Sequence, residues 1–423
     1  MVVNSMSYAK YDSYKDSGVD WLGKIPSDWD LLKVKNIFRL VMKFAPKNND
    51  CELLSVYTDI GVKPRKELEE RGNRATTTDG YLIVEKGDIV VNKLLAWMGA
   101  IGLSDYDGVT SPAYDVLKPK MPIEGIFYHL LFRSPQCTSE LKRHSRGIMD
   151  MRLRLYFDKF GDVVVPYPNI EVQKKIVSFL AEKTAQIDQA IALKQQQIEK
   201  LNEYKQIVIQ NAVTKGLNPN VPMKDSGVEW IGDIPEHWDV KKLKYVLKSY
   251  NKKISSRNSD LRYLGMENII SKTGEINNES AEVEGLANHF KPNHILFGKL
   301  RPYLAKVYLA DFEGICSTEF LVFEVLEPNN AKFLQILLLS NGFIQNIDSS
   351  TYGSKMPRAN PDFINNQFIA IPPLDEQLQI INAIENKNQP IKQAIEKYQT
   401  QIDRLKEYKN ILINQAVTGK IKI

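Results

Sequence analysis

At 423 residues the chain is too long for one ordinary hydrophobic core, so two to four domains are expected. Its 43% apolar and 25% charged content is that of a soluble globular protein; 56 Lys+Arg against 51 Asp+Glu leave only +5, so any affinity for nucleic acid must come from local patches. The three cysteines (Cys51, Cys137, Cys316) form no CxxC pair, the N-terminus has no apolar core for a signal peptide, and no run approaches about 18 apolar residues; zinc, disulfides and membrane spans are disfavoured and a cytoplasmic protein is expected.

After a tail at 1–13, the first marked phrase is KDSGVDWLGKIPSDWD at 15–30. GDIVVNKL (87–94) and VVVP (163–166) are short β-type runs bounded by Gly, Pro or Asn, so a first globular unit at 14–168 is expected to be α+β with a substantial sheet. Between those runs, KRHSRGIMDMRLR (142–154) gathers Lys142, Arg143, Arg146, Arg152 and Arg154 against the single acid Asp150. From 169 to 216 the period changes. Leu180, Ile187, Leu201 and Val208 recur at multiples of seven, with Ile191, Ile198 and Ala212 at the complementary position, which is the seam of a helix that packs on another helix. GLNPNVP (216–222), with two prolines and two asparagines, marks a linker placed at 217–223.

The chain then repeats itself. KDSGVEWIGDIPEHWD (224–239) restates the opening phrase 209 positions later, and four of the five tryptophans (Trp21, Trp29, Trp230, Trp238) lie in the two copies. NHILFGKL (293–300) matches 87–94, and ADFEGICSTEF (310–320) matches SDYDGVTSPAY (104–114), both at a separation of 206. At the same separation Gly353, Arg358 and Phe363 answer Gly147, Arg152 and Phe157. FIAIPP (368–373) closes a second unit at 224–372. In a last helical region, 373–423, IDRLKEYKNILINQAVT (402–418) matches IEKLNEYKQIVIQNAVT (198–214) at a separation of 204. Its seam reads Ile384, Ile391, Leu405 and Leu412 with Ile395, Ile402 and Ala416; Lys194 and Tyr398 interrupt the two seams at one position, Lys205 and Lys409 at another. Pro390 is expected to begin this helix, since proline is tolerated at the first position and not inside. Residues 39–83 and 248–288 share no convincing similarity.

Two similar bodies, each followed by one long helix, can pair those helices antiparallel. The expected fold is therefore α+β, with two similar globular units separated by a pair of long antiparallel coiled-coil helices in a pseudo-two-fold internal repeat. From Pro390 to Ala416 the helix would span roughly 40 Å, slightly more than a B-DNA turn of roughly 34–36 Å. That imitates a dimeric DNA reader within one chain, with a bipartite, asymmetric site because the readers differ. The geometry suits a protein-binding scaffold equally well; the basic clusters tilt it toward DNA. Lys248, Lys252, Lys253 and Arg257 form one cluster; Lys291, Lys299, Arg301 and Lys306 form another, with Tyr303 and Tyr308 interleaved; GSKMPRAN (353–360) adds Lys355, Arg358 and Asn360. Such side chains neutralise phosphates or read base edges. The candidates for DNA contact are Lys93, Arg146, Arg152, Arg154, Lys253, Lys299, Arg301, Tyr303, Lys355, Arg358 and Asn360.

Motifs for catalysis are missing from the sequence. There is no GxxxxGK[ST] loop, no GxGxxG turn, and no Asn/Asp-Pro-Pro-aromatic motif for methylating an amine; the Pro-Pro of IPPLDEQ (371–377) lacks it. The Glu-x-Lys of a metal-dependent nuclease occurs only as EYK at Glu203–Lys205 and Glu407–Lys409, inside the expected helices, where it reads as surface charge. The five histidines (His129, His144, His237, His289, His294) form no HxH or HxxxH pair, so neither a metal site nor a catalytic residue is expected.

The chain resembles the specificity (S) subunit of Type I restriction–modification systems over essentially its whole length. The resemblance is carried by WxGxIPxxW at the head of each half (Trp21 to Trp29, Trp230 to Trp238), by the duplicated helix, and by the P…EQ approach to each helix. That approach stands as PPLDEQLQII (372–381) in the second half and as a degenerate PYPNIEVQKKI (166–176) in the first, where Val172 falls between Glu171 and Gln173. The resemblance implies a non-catalytic subunit whose two target-recognition domains each read half of a split DNA site. It implies helices that act as a fixed-length spacer and dock two methyltransferase (M) subunits, alongside restriction/translocase (R) subunits. It places catalysis, with S-adenosylmethionine, ATP and Mg, in those partners, and no cofactor in this chain. The alternative is a pseudo-symmetric coiled-coil adaptor that binds only proteins.

Overall fold

The structure, a computed structural model, describes residues 8–67, 78–147, 153–256, 259–277, 285–353 and 355–423. The chain divides into two compact units, Met1–Lys194 with Thr400–Ile423, and Gln195–Gln399. Both are α+β, and each contains part of each long helix.

In the first unit the opening phrase is a β-hairpin. Tyr14–Asp16 pairs antiparallel with Lys24–Pro26, and the Asp16 carboxylate accepts a hydrogen bond from Gly18 N at 2.9 Å, an Asx turn that reverses the chain. Asp30–Lys33 then pairs with Val164–Tyr167, joining the start of the globular body to its end. The main sheet is antiparallel, in the order Phe38–Val41, Tyr114–Pro119, Ile89–Asn92, Ile101–Leu103. Helix Gly125–Arg133 (GIFYHLLFR) carries Phe127, Tyr128, Leu131 and Phe132 on one stripe, and all four are buried in a core with Trp29, Phe38 and Phe160. Helix Pro135–His144 follows it.

The second unit repeats this frame strand for strand. Met223–Asp225 pairs with Asp233–Pro235, with Asp225 accepting from Gly227 N at 2.8 Å; Asp239–Lys242 pairs with Phe368–Ile371. Its main sheet runs Leu247–Ser249, Phe320–Val325, Ile295–Gly298, Val307–Leu309, with helices Ala331–Leu338 and Asn341–Ser349. The units part company where the sequences do. In the first the hairpin Leu54–Tyr57 with Gly61–Pro64 is its own, whereas the pair Leu82–Val84 with Gly108–Thr110 recurs in the second, in the same register 206 positions on, as 288–290 with 314–316. The second has a four-stranded sheet of Lys253–Ser255, Leu286–Phe290, Gly314–Cys316 and the parallel Tyr263–Leu264.

The central helix spans Ile170–Lys215 and the C-terminal helix Leu374–Val417, 46 and 44 residues, or about 69 and 66 Å at 1.5 Å per residue. Pro390 therefore lies inside the C-terminal helix and does not begin it. Pro390 and Asn386, whose carbonyl loses its partner to the proline ring, are both exposed, so water can satisfy that oxygen. Ile384 and Ile391, on either side, are buried at 2% and 7% exposure and hold the helix in place across the defect.

Within the first unit the two helical segments run antiparallel, with Lys409 Nζ 2.7 Å from Asp188 Oδ2 and Lys194 Nζ donating to Gln401 at 2.5 Å. Within the second, Ile209, Ala212 and Val213 share a core with Ile380, Ile381 and Ile384. Of the seam residues, Leu180, Ile187, Ile198, Ile384, Ile391, Ile402 and Leu412 are buried. Ile191, Leu201, Val208, Ile395 and Leu405 are half-buried. The lysines in the seam are accommodated by partners or by partial exposure: burial lowers the pKa of Lys205, offset by nearby Glu275, and Lys409 pairs with Asp188.

The glutamine of the P…EQ approach has a mechanical role in both copies. Gln173 accepts from Glu124 N at 2.9 Å and donates to Pro168 O at 2.7 Å; Gln377 accepts from Asn330 N at 2.8 Å and donates to Pro372 O at 3.0 Å. Each fully buried amide thus satisfies two backbone groups and ties the start of a long helix to the start of a helix in the globular body. The far ends of the long helices close on the repeated phrase. Gly216 and Gly419 both adopt a left-handed φ (+72° and +71°) after the last turn, as a helix-ending glycine does. A Cβ on Gly216 would lie 3.2 Å from Trp238, and one on Gly419 2.4 Å from Pro26, so the phrase receives a helix end directly.

Candidate nucleic-acid interface

In the second unit two loops carry most of the candidate contacts, and backbone hydrogen bonds join them. Arg301 N donates to Pro357 O at 2.7 Å, Ala359 N to Lys299 O at 3.0 Å, and Arg358 forms isolated bridges with Leu300 and Tyr352. This brings Lys299, Arg301, Tyr303, Lys355, Arg358 and Asn360 into one cluster. Arg301 and Ala305, at the two ends of the 3₁₀ turn Pro302–Leu304, adopt left-handed φ values of 50° and 46°, a strained backbone for non-glycine residues. Among the described residues no carboxylate lies within ion-pair distance of Lys299, Arg301 or Lys355. Tyr303, Tyr352 and Met356 are exposed beside them.

Two members of the cluster are already engaged. Arg358 makes a two-point pair with Glu319, Nη2–Oε1 at 2.9 Å and Nε–Oε2 at 3.2 Å, which raises its pKa further. Asn360 caps the short helix Pro361–Asn365 by accepting from Asp362 N at 2.8 Å. Lys253 stands apart on the edge strand of the divergent sheet. Lys306 points inward to Met266 O, and burial lowers its pKa.

The first unit has a related arrangement. Leu155 N donates to Lys93 O at 2.8 Å, and Arg146 and Arg154 exchange backbone hydrogen bonds at 2.9 Å. Lys93 is committed to Pro112 O (2.9 Å) and to Asp115 (3.3 Å), whose carboxyl pKa burial raises against the pull of that lysine. Arg146 is exposed and 3.9 Å from Asp158. Arg152, like Arg257, lies outside the described residues. Sequence reasoning missed Glu319, from the turn before Phe320–Val325, and Asp115, from the strand Tyr114–Pro119, and missed Trp97, over whose ring Lys142 Nζ sits at 4.8 Å. Among the described residues no group of three or more His, Cys, Asp or Glu side chains is placed to hold a metal ion, and no helix is long and apolar enough to cross a membrane.

A duplicated frame that carries two different exposed basic loop clusters defines a class of paired DNA-reading modules. The chain matches the Type I restriction modification DNA specificity domain twice, over residues 26–203 and 235–407, and belongs to that family. It is 24% identical to the Type I restriction enzyme MjaVIII specificity subunit of Methanocaldococcus jannaschii, over 99% of this chain and 98% of that one. It is also 24% identical to the MjaIX specificity subunit of the same organism, over 95% of each chain. A solved chain from work on complex assembly and conformational transition of the type I R-M system shares the fold, with a TM-score of 0.66 at 13% identity over 93% of this chain and 98% of that one.

Proposed function

We propose that this chain is the DNA-specificity subunit of a Type I restriction–modification complex, each unit reading one part of a bipartite, asymmetric target. The observation that supports it most is the division between frame and reader. Hairpin, closing strand pair, main sheet, the pair 82–84/108–110 (288–290/314–316) and helix staple recur in both units, whereas the hairpin Leu54–Tyr57 with Gly61–Pro64 belongs to the first and the strands Lys253–Ser255 and Tyr263–Leu264 to the second. One platform that presents two surfaces is what a split asymmetric site requires. On this reading the long helices set the spacing and dock M subunits, R subunits join the complex, and S-adenosylmethionine, ATP and Mg serve those partners. Lys299, Arg301, Tyr303 and Lys355 in the second unit, and Arg146 and Arg154 in the first, are the contacts the geometry favours. A protein-only adaptor would not need divergent basic loops on a repeated frame.

The test is to map methylated adenines in DNA from cells with and without the chain. A two-part motif with a fixed gap that disappears with the chain is expected. Methylation unchanged in its absence would refute the proposal.

A further inference from the structure

We propose that the first unit reads its half-site through an apolar loop tip, Leu94, Leu95 and Met98, that contacts thymine methyl groups, where the second unit presents a guanidinium. This rests on the reading of the chain as a DNA-specificity subunit. KLLAWMG (93–99) and KLRPYLA (299–305) occupy the same place in the repeat, 206 positions apart, so Leu95 stands where Arg301 stands. The loops share their framing, although at the paired position itself Leu95 has φ −123° and Arg301 a left-handed φ of 50°. Each ends on a left-handed residue (Gly99, φ 93°; Ala305, φ 46°), and each is tied by its lysine carbonyl to the returning segment, through Leu155 N and Ala359 N.

Leu94, Leu95 and Met98 are 38%, 40% and 51% exposed, and the loop holds them there. Leu94 N donates to Asn92 Oδ1 at 3.1 Å, Trp97 Nε1 to Leu94 O at 3.0 Å, and Ala100 N to Leu95 O at 3.1 Å. The Arg133 guanidinium donates to Gly99 O at 2.8 Å and Thr58 O at 2.9 Å, and Ala96 is fully buried as an anchor. A loop ordered this tightly could have turned such side chains inward; displaying them marks a recognition surface.

Charge around the tips differs between the units. In the first, cations flank an apolar tip: Lys142 over Trp97, with the side chains of Arg143 and Arg146 65% and 62% exposed. In the second, Asp348 stands at the position of Lys142 and the cation is on the tip itself. Flanking cations suit phosphates. Among base edges in the major groove, the thymine 5-methyl is the apolar group available to Leu95 and Met98, whereas Arg301 suits guanine.

The experiment uses the chain assembled with its methyltransferase partners and the target mapped from methylated adenines. Each thymine of the target is replaced singly by deoxyuridine, which removes only the methyl group. At least one replacement in one half-site should weaken binding roughly 3- to 10-fold, as loss of one buried methyl does. The double variant Leu95→Ala, Met98→Ala should abolish that sensitivity and leave the other half-site unaffected. Insensitivity to deoxyuridine throughout both half-sites, or sensitivity that survives the double variant, overturns the inference. So does a double variant that folds but fails to assemble with those partners, which would make the tip a protein-docking surface. A complex that binds no DNA would instead sink the specificity-subunit reading itself.

Discussion

Trp29 and Trp238 are buried at the same place in their units, yet their indole nitrogens have different surroundings. Glu376 accepts from Trp238 Nε1 at 3.0 Å and contacts His237 Nε2 at 2.8 Å. The matching position in the first unit is Val172, and the polar group beside the Trp29 indole is instead the Tyr11 hydroxyl, with the two rings 5.8 Å apart. The degenerate P…EQ motif thus corresponds to a lost polar contact. Replacing Glu376 by Val orphans a buried donor and should destabilise the second unit by about 1–3 kcal/mol, whereas Glu376→Gln, which keeps an acceptor, should cost less. Urea denaturation of the three proteins checks both.

His129 supplies a pH response. Its ring abuts Gly61 and Gly102, and Nδ1 accepts from Leu103 N at 3.2 Å; burial, helped by Arg133, pulls its pKa down from 6.5 to about 4. Above pH 6.5 the imidazole is neutral folded or unfolded, so its contribution is fully present. Between pH 6.5 and 4 only the unfolded chain takes up the proton, and stability should fall by about 3 kcal/mol from this group before levelling off. His129→Gln should flatten that part of the stability–pH curve, and an unchanged slope would refute the assignment. None of this is legible from residue type. Residue type does not foretell that Asn360, a candidate DNA contact, also caps a helix, or that Lys93, another, pairs with Asp115. In each case the deciding partner comes from the fold.

At the level of elements, periodicity carries more. The seven-residue seam is legible because burial of one helix face imposes it, and the strands at 89–92 and 295–298 show as β-type runs for the same reason. Helix starts are less legible, since a local rule can be outweighed by packing. Proline rules place a start at Pro390, but the helix already runs from Leu374, fastened by Gln377 and buried through Ile380, Ile381 and Ile384. Because Pro390 is interior and exposed, Pro390→Ala restores a main-chain hydrogen bond without touching the core. It should stabilise the helix by up to about 3 kcal/mol. At a helix start the same change would be near neutral, so thermal denaturation of the variant distinguishes the two placements.

For the whole molecule, the duplication is the most legible feature, because both copies solve the same packing problem. The repeated residues are those that close each frame: the Asx-turn hairpin, the buried Trp, the glutamine staple and the glycine at each helix end. The divergent stretches share the main-sheet edge strand and the pairing of 82–84 and 288–290, and otherwise carry different strands, such as the hairpin Leu54–Tyr57 with Gly61–Pro64 in the first unit. Frame and reader should therefore be separable by mutation. Trp29→Phe removes part of the indole from a buried site without touching an exposed loop. It should lower stability by about 1–3 kcal/mol while the methylated sequence stays the same. Replacing residues 39–83 by the aligned stretch of another family member should do the reverse. One half-site should change, with the gap and the other half-site retained, because the helices and the second unit's loops are untouched. Adenine-methylation mapping of both variants reads the outcome directly. A graft that alters both half-sites, or a Trp29→Phe protein that methylates a new sequence, would mean that recognition extends into the frame.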